Sequence, residues 1–167
     1  MPRTPPSKSV VNADKFLQLW DDICNRLEIR HLLIYGTALG FYRSGTYIPG
    51  DSDIDVRCIC KRDKWDKMVA ELGKKGIRQQ LPHGFGFYMG DMLMCIERSE
   101  RIGVVTYDDG WEVTCLPYYD FETIVYKGRK YNVPRPIEKY LEQRYGPDWR
   151  TPIPGGKAQP GVGIRIK

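Results

Sequence analysis

The sequence predicts an α+β fold in one compact domain. Three observations carry that expectation. Apolar residues recur at helical spacing in separate stretches, short alternating runs of strand length lie between them, and 167 residues are enough for one core but short for two. The domain is expected over residues 12–150, after a disordered segment at 1–11 and before a Pro/Gly-rich basic tail at 151–167.

The opening residues contain Pro2, Pro5 and Pro6 and no apolar core, so they are not a secretory signal. Asn12 is placed to cap a helix whose stripe is Phe16, Leu19, Trp20, Ile23 and Leu27. His31 to Tyr35 reads as a short apolar strand that breaks at Gly36, and Thr37 opens a short helix ending near Arg43. Ser44 to Gly50, with Gly45 and Pro49, is a loop. From Asp53 to Lys61 the chain alternates: Ile54, Val56, Cys58 and Cys60 share one face, and Asp53, Asp55, Arg57 and Ile59 the other.

An amphipathic helix follows over Lys61 to Lys75, carried by Trp65, Met68, Val69 and Leu72 and stopped at Gly76. Gln79 to Gly90, rich in glycine and aromatics, gives no clear periodicity. Met92 to Glu97 is a strand. Ile102 to Tyr107 and Trp111 to Leu116 flank Asp108-Asp109-Gly110, a hairpin signal. After Pro134 a last helix carries Ile137, Tyr140, Leu141 and Arg144 and stops at Gly146.

Composition narrows the function classes. A net charge of +5, with 26 basic residues scattered among 21 acidic ones, suits an anionic ligand such as a nucleotide; nucleic acid is not expected. No stretch approaches the ~20 apolar residues of a membrane span. Five cysteines, three of them in strand-like apolar runs, read as reduced thiols of a cytoplasmic protein. Cys58-Ile59-Cys60 has no matching second pair for a structural zinc site.

The chemistry concentrates at Asp53 and Asp55. Carboxylates at strand positions i and i+2 project from one face, their Cα atoms about 6–7 Å apart, close enough to share divalent cations. Phosphoryl and nucleotidyl transfer need that arrangement, because Mg²⁺ neutralises the donor phosphates and positions the leaving group. Hard oxygen ligands select Mg²⁺ or Mn²⁺. Upstream, Gly36 lets backbone approach a phosphate, the following helix start offers N–H groups, and the Thr37 hydroxyl can donate. Arg43 and Arg57 are candidate phosphate clamps, or solvated charges. Tyr88, Trp111, Tyr118 and Tyr119 are either a base or sugar pocket or simply core.

Other readings of the acidic run fail on spacing. A calcium loop beginning at Asp51 would need glycine where Val56 stands and glutamate where Arg62 stands. Gly36 to Gly40 has neither the lysine of a P-loop nor the glycine spacing of a dinucleotide fingerprint.

The runs Tyr35-Gly36-Thr37-Ala38-Leu39-Gly40-Phe41-Tyr42-Arg43 and Ile48-Pro49-Gly50-Asp51-Ser52-Asp53-Ile54-Asp55-Val56 resemble the LicD family of phosphotransferases, which includes the fukutin-related proteins. Val133-Pro134 and Tyr140-Leu141-Glu142-Gln143-Arg144-Tyr145-Gly146-Pro147-Asp148-Trp149 are similar to that family's C-terminal segment. The resemblance implies a nucleotidyltransferase fold, a mixed sheet flanked by helices. It also implies transfer of a phosphorylated alcohol, such as phosphocholine or a polyol phosphate, from a CDP-activated donor to a glycan or other hydroxyl acceptor. Carried over by position, Asp51, Asp53 and Asp55 match the acidic metal motif, Gly36 and Thr37 the donor-phosphate turn, and Arg43 the arginine after it.

Two departures stand out. Gly50 replaces the family's tryptophan before the first aspartate, and Thr114 stands where a third carboxylate is expected. Glu112, two residues earlier on that strand face, is then a metal ligand, the base that deprotonates the acceptor, or an exposed hairpin glutamate. Two alternatives therefore stay open: a small transferase moving NMP from an NTP to a hydroxylated small molecule, and a catalytically silent nucleotide-binding domain.

Overall fold

The computed structural model describes residues 6–80, 85–106, 112–114 and 120–153, with backbone alone at 6–9, 105 and 112–114. In chain order the elements are α1 (Pro6–Arg26), β1 (Arg30–Leu33), α2 (Tyr35–Ser44), β2 (Asp53–Ile59), α3 (Arg62–Lys74), β3 (Arg78–Gln79) and β4 (Gly86–Met89). There follow β5 (Met92–Ser99), β6 (Val104–Thr106), β7 (Glu112–Thr114), β8 (Asp120–Tyr126), β9 (Arg129–Arg135) and α4 (Ile137–Tyr145).

The main sheet has the order β1-β2-β5-β4-β3. It is mixed: β2 runs parallel to β5 and antiparallel to β1, while β4 is antiparallel to both β5 and β3. Its two faces differ in chemistry because the strand period is two. Ile54, Val56 and Cys58 are buried on one face of β2. That face meets α1 and α3, with the Cys58 thiol 3.8 Å from the Cys24 sulfur and 3.5 Å from Met68 Sδ. On the other face β2 carries Asp53, Asp55 and Arg57, and there α2 and α4 approach.

The expected elements are present with shifted ends. Helix α1 starts before Asn12, so Asn12 is no cap and the boundary expected there falls inside the helix. Proline in a first helical turn gives up only an N–H that would lack a helical partner anyway, so Pro6 can open it. The strand expected to reach Tyr35 ends at Leu33, and Tyr35 begins α2 with φ of 44°. The stretch from Gln79 to Gly90 contains β3 and β4, and β6 pairs with β7 as the hairpin signal predicts. The Asp108-Asp109-Gly110 turn, Trp111, Tyr118, Tyr119 and the tail from residue 154 lie outside the described residues.

One hairpin escaped the sequence reading. Strands β8 and β9 pair through Lys127-Gly128, both at positive φ, the two-residue connection whose twist suits adjacent strands. Lysine at the first turn position hides this signal. Among the described residues three ion pairs hold the hairpin to α1: Lys127 Nζ lies 2.6 Å from Asp14 Oδ2, and Arg129 Nη1 lies 2.9 Å from Asp21 Oδ2 and 2.7 Å from Asp22 Oδ1. Burial works against the Asp21 charge, yet hydrogen bonds from His31 and Arg129 hold its carboxyl below the usual carboxylate range.

Candidate active site

The start of β2 and the loop before it place Asp51, Asp53 and Asp55 along one cleft of about 210 Å³, which Tyr35, Gly36, Ile48, Arg144 and Tyr145 complete. Register adds a fourth group. Asp55 faces Cys95 on the parallel neighbour β5, and the Cys95 thiol donates to Asp53 Oδ2 at 3.4 Å. Ligand atoms of Asp53, Asp55 and Cys95 lie within 4.8 Å of one another.

So much negative charge in a half-buried place is unfavourable without a counter-charge. Burial, then Asp53, pushes the Asp51 carboxyl up to about 7. Burial, followed by Asp53, Asp51 and Glu97, pushes Asp55 up to about 8. Burial and the neighbouring Asp53 push the Cys95 thiol up to about 12. Carboxylate oxygens of Asp53 and Asp55 that converge in a half-buried cleft have the chemistry of a divalent-cation site, and the residues present fit that group.

The start of α2 is laced to Asp55. Ile34 N–H donates to Asp55 O at 3.0 Å, and Asp55 N–H donates to Thr37 Oγ1 at 2.9 Å. A Gly36 backbone hydrogen bond steadies the Asp55 carboxylate. The Thr37 side chain is buried and its hydroxyl accepts from β2, so it positions the backbone of Asp55. Gly36 matters through close approach, since a Cβ there would stand 2.6 Å from Asp51 Oδ2 and 3.5 Å from Asp55 Oδ2. Gly36→Ala is therefore expected to displace Asp51 and to weaken Mn²⁺ binding about 10-fold or more, with little loss of melting temperature. Titration calorimetry with Mn²⁺ checks this, and wild-type affinity in the variant would remove Asp51 from the site.

Neither expected phosphate clamp reaches the cleft. Arg57 is fully buried, and its Nε donates to Glu97 Oε2 at 3.0 Å while Nη2 donates to the Tyr35 hydroxyl at 3.1 Å. Glu97 is its register partner across the parallel pair, so this is a cross-strand ion pair under the site. Arg43 donates from Nη1 to Trp149 O at 2.9 Å and ties α2 to the turn after α4. Arg57 is held beneath the site by Glu97 and Tyr35, and Arg43 braces α2 against the turn after α4.

The residues that sequence reading missed come from tertiary packing. Arg144 and Tyr145 enter the cleft from α4, and the Arg144 guanidinium stacks 4.5 Å above the Tyr35 ring. The available signal was Arg144 itself, a charge at the position where the stripe Ile137, Tyr140, Leu141 predicts an apolar residue. Cys95 sits mid-strand in an apolar run and resembled core. Glu112 opens β7 in a separate two-stranded sheet, opposite Thr106, and its side chain lies outside the described residues. Tyr88 is in β4, opposite Leu93 and Arg78, and is not part of the cleft lining.

Comparison with known proteins accords with this architecture. The profile of the LicD/FKTN/FKRP nucleotidyltransferase domain matches residues 28–129. The fold is similar to the solution structure of the antibiotic-resistance factor ANT(2″)-Ia, with a TM-score of 0.52 at 15% identity over 75% of this chain and 66% of that one. A crystal structure of ANT(2″)-Ia in complex with adenylyl-2″-tobramycin gives 0.49 at 16% identity, over 72% and 67%. No curated protein sequence matches the chain significantly. Among the described residues no helix is long and apolar enough to cross a membrane.

Proposed function

The chain belongs to the LicD/FKTN/FKRP nucleotidyltransferase-domain family, and from that premise we propose that it is a metal-dependent phosphotransferase. Its donor is a CDP-activated alcohol and its acceptor a glycan or other hydroxyl compound. The observation that carries this reading is the convergence of Asp51, Asp53 and Asp55 on one cleft beside Arg144. Opposite charges in one pocket suit a phosphate-bearing donor: the carboxylates take its counter-cation and the arginine its oxygens.

Asp51, Asp53 and Asp55 would hold Mg²⁺ or Mn²⁺. When bound, such an ion supplies charge neutralisation and alignment of the leaving group. The acceptor hydroxyl oxygen attacks the β-phosphorus, and the bond from that phosphorus to the bridging oxygen breaks. CMP leaves with the electron pair, and the hydroxyl proton passes to a carboxylate of the site. Gly36 keeps the space that Asp51 occupies, and Thr37 fixes the backbone of Asp55. Glu112 remains the further candidate for proton acceptor proposed from sequence.

Incubation with Mg²⁺ or Mn²⁺ and CDP-choline, CDP-ribitol or CDP-glycerol, with glycan acceptors, tests this reading through CMP release. Pyrophosphate released from an NTP would replace it with NMP transfer to a hydroxylated small molecule. One observation favours a second reading, a nucleotide-binding domain without turnover. The residue facing Asp55 on β5 is the thiol of Cys95, where another carboxylate would complete the acidic set. Nucleotide binding with no product from any donor would select that reading.

A further inference from the structure

Arg144 is a cation held inside an acidic cleft without being neutralised by it. It lines the same cavity as Asp51, Asp53 and Asp55, yet among the described residues no ion pair joins it to any carboxylate. Its Nε is buried and has no hydrogen-bond partner among the described residues. What keeps it in place is an aromatic seat together with a hydrogen bond to the Tyr145 side chain. The guanidinium lies 4.5 Å from the centre of the Tyr35 ring and 5.9 Å from that of Tyr145.

That seat is itself built in depth. The Tyr35 hydroxyl is fixed by Glu97 and by the fully buried Arg57, and its backbone N–H donates to the Tyr140 hydroxyl at 3.2 Å. Tyrosine at φ of 44° is a costly backbone conformation for a side chain of that size, and such strain persists where surrounding contacts over-determine it. The chain Glu97, Arg57, Tyr35, Arg144 thus runs from the sheet to the cleft and ends on the guanidinium.

We propose that Arg144 is the residue that binds the diphosphate of the nucleotide donor, with Tyr35 as its positioning residue. The planar guanidinium has several N–H donors in a fixed fork that matches two phosphate oxygens. Seated on Tyr35, it is kept from collapsing onto Asp51 or Asp55, so it stays available to the ligand. The inference rests on the nucleotide reading above. It assigns to Arg144 the task that sequence position suggested for Arg43 and Arg57, both of which the fold uses elsewhere.

Calorimetric titration of wild type, R144Q, R144K and Y35L with CDP, inorganic pyrophosphate and cytidine, in Mg²⁺, tests the assignment. R144Q is expected to weaken CDP and pyrophosphate about 10- to 100-fold, the scale of one lost charge-assisted contact, while leaving cytidine unchanged. R144K keeps the charge but loses the fork and the stacking, so it recovers only part of the affinity. Y35L moves CDP in the same direction with Arg144 intact. CDP affinity untouched in R144Q, or CDP and cytidine weakened equally, would overturn the inference while the nucleotide reading stands. Wild-type protein that binds neither CDP nor pyrophosphate would overturn both together. Should R144Q melt below the assay temperature, undiminished CDP binding by R144K is the overturning result.

Discussion

Replacing Asp55 with asparagine is expected to abolish turnover while leaving the fold at least as stable as before. Asp55 stands at the centre of the site: its main chain is tied to Ile34 and Thr37, its carboxylate is steadied by Gly36, and its strand partner is Cys95. Loss of a cation-holding oxygen removes several kcal/mol of charge stabilisation, on the order of a 10³-fold fall in rate. The apo protein gains at neutral pH, because asparagine has no proton to take up on folding, whereas burial and the carboxylates of Asp53, Asp51 and Glu97 force Asp55 to take one up. Each kcal/mol of relief raises the melting temperature about 2–4 °C in a chain of this size. Melting curves with and without Mn²⁺ check both halves: wild type should be stabilised by the ion, and the variant should start higher and respond little. A variant that melts well below apo wild type would show that Asp55 serves the fold and not an ion.

The second large effect is expected at Arg57 and concerns stability. Its guanidinium is fully buried and its ion-pair partner Glu97 is 19% exposed, so Arg57→Ala leaves a carboxylate facing a cavity under the site. Breaking a buried pair on one side costs about 3–5 kcal/mol, a large part of the about 5–15 kcal/mol by which a domain is stable. The melting temperature should fall by about 6 °C or more. Removing both partners in R57M/E97M should recover most of that loss, since packed apolar groups replace a buried pair at little cost. Activity should stay low in the double variant, because Tyr35 loses the contacts that hold it beneath Arg144. An Arg57→Ala protein of wild-type stability that has lost only nucleotide affinity would return Arg57 to the role of phosphate clamp.

Arg57 also shows where reading from sequence stops. Alternation along β2 correctly placed it on the face of Asp53 and Asp55. What alternation omits is the neighbouring strand. The residue opposite Arg57 is Glu97, separated from it by a whole helix and two further strands, and only the parallel register makes them partners. Arg43 differs for a similar reason: its acceptor, the carbonyl of Trp149, belongs to the chain beyond α4. The two segments that carry the family resemblance pack on each other, through Tyr35 and Tyr140 and through Arg43 and Trp149. Neither segment's pattern contains that contact.

By itself the sequence determined the α+β class, the strand that presents Asp53 and Asp55 on one face, the glycine before them and the family. These follow from local periodicity and spacing, which the backbone's own geometry dictates. Tertiary structure alone decided the rest of the cleft. It brought Cys95 beside Asp55 by register, buried Thr37 and Arg57 as supports, and carried Arg144 from a helix stripe to the lining of the cleft. The physical reason is that a charged side chain's role depends on which counter-charges and aromatic surfaces meet it in space. Those partners come from elements distant in the chain.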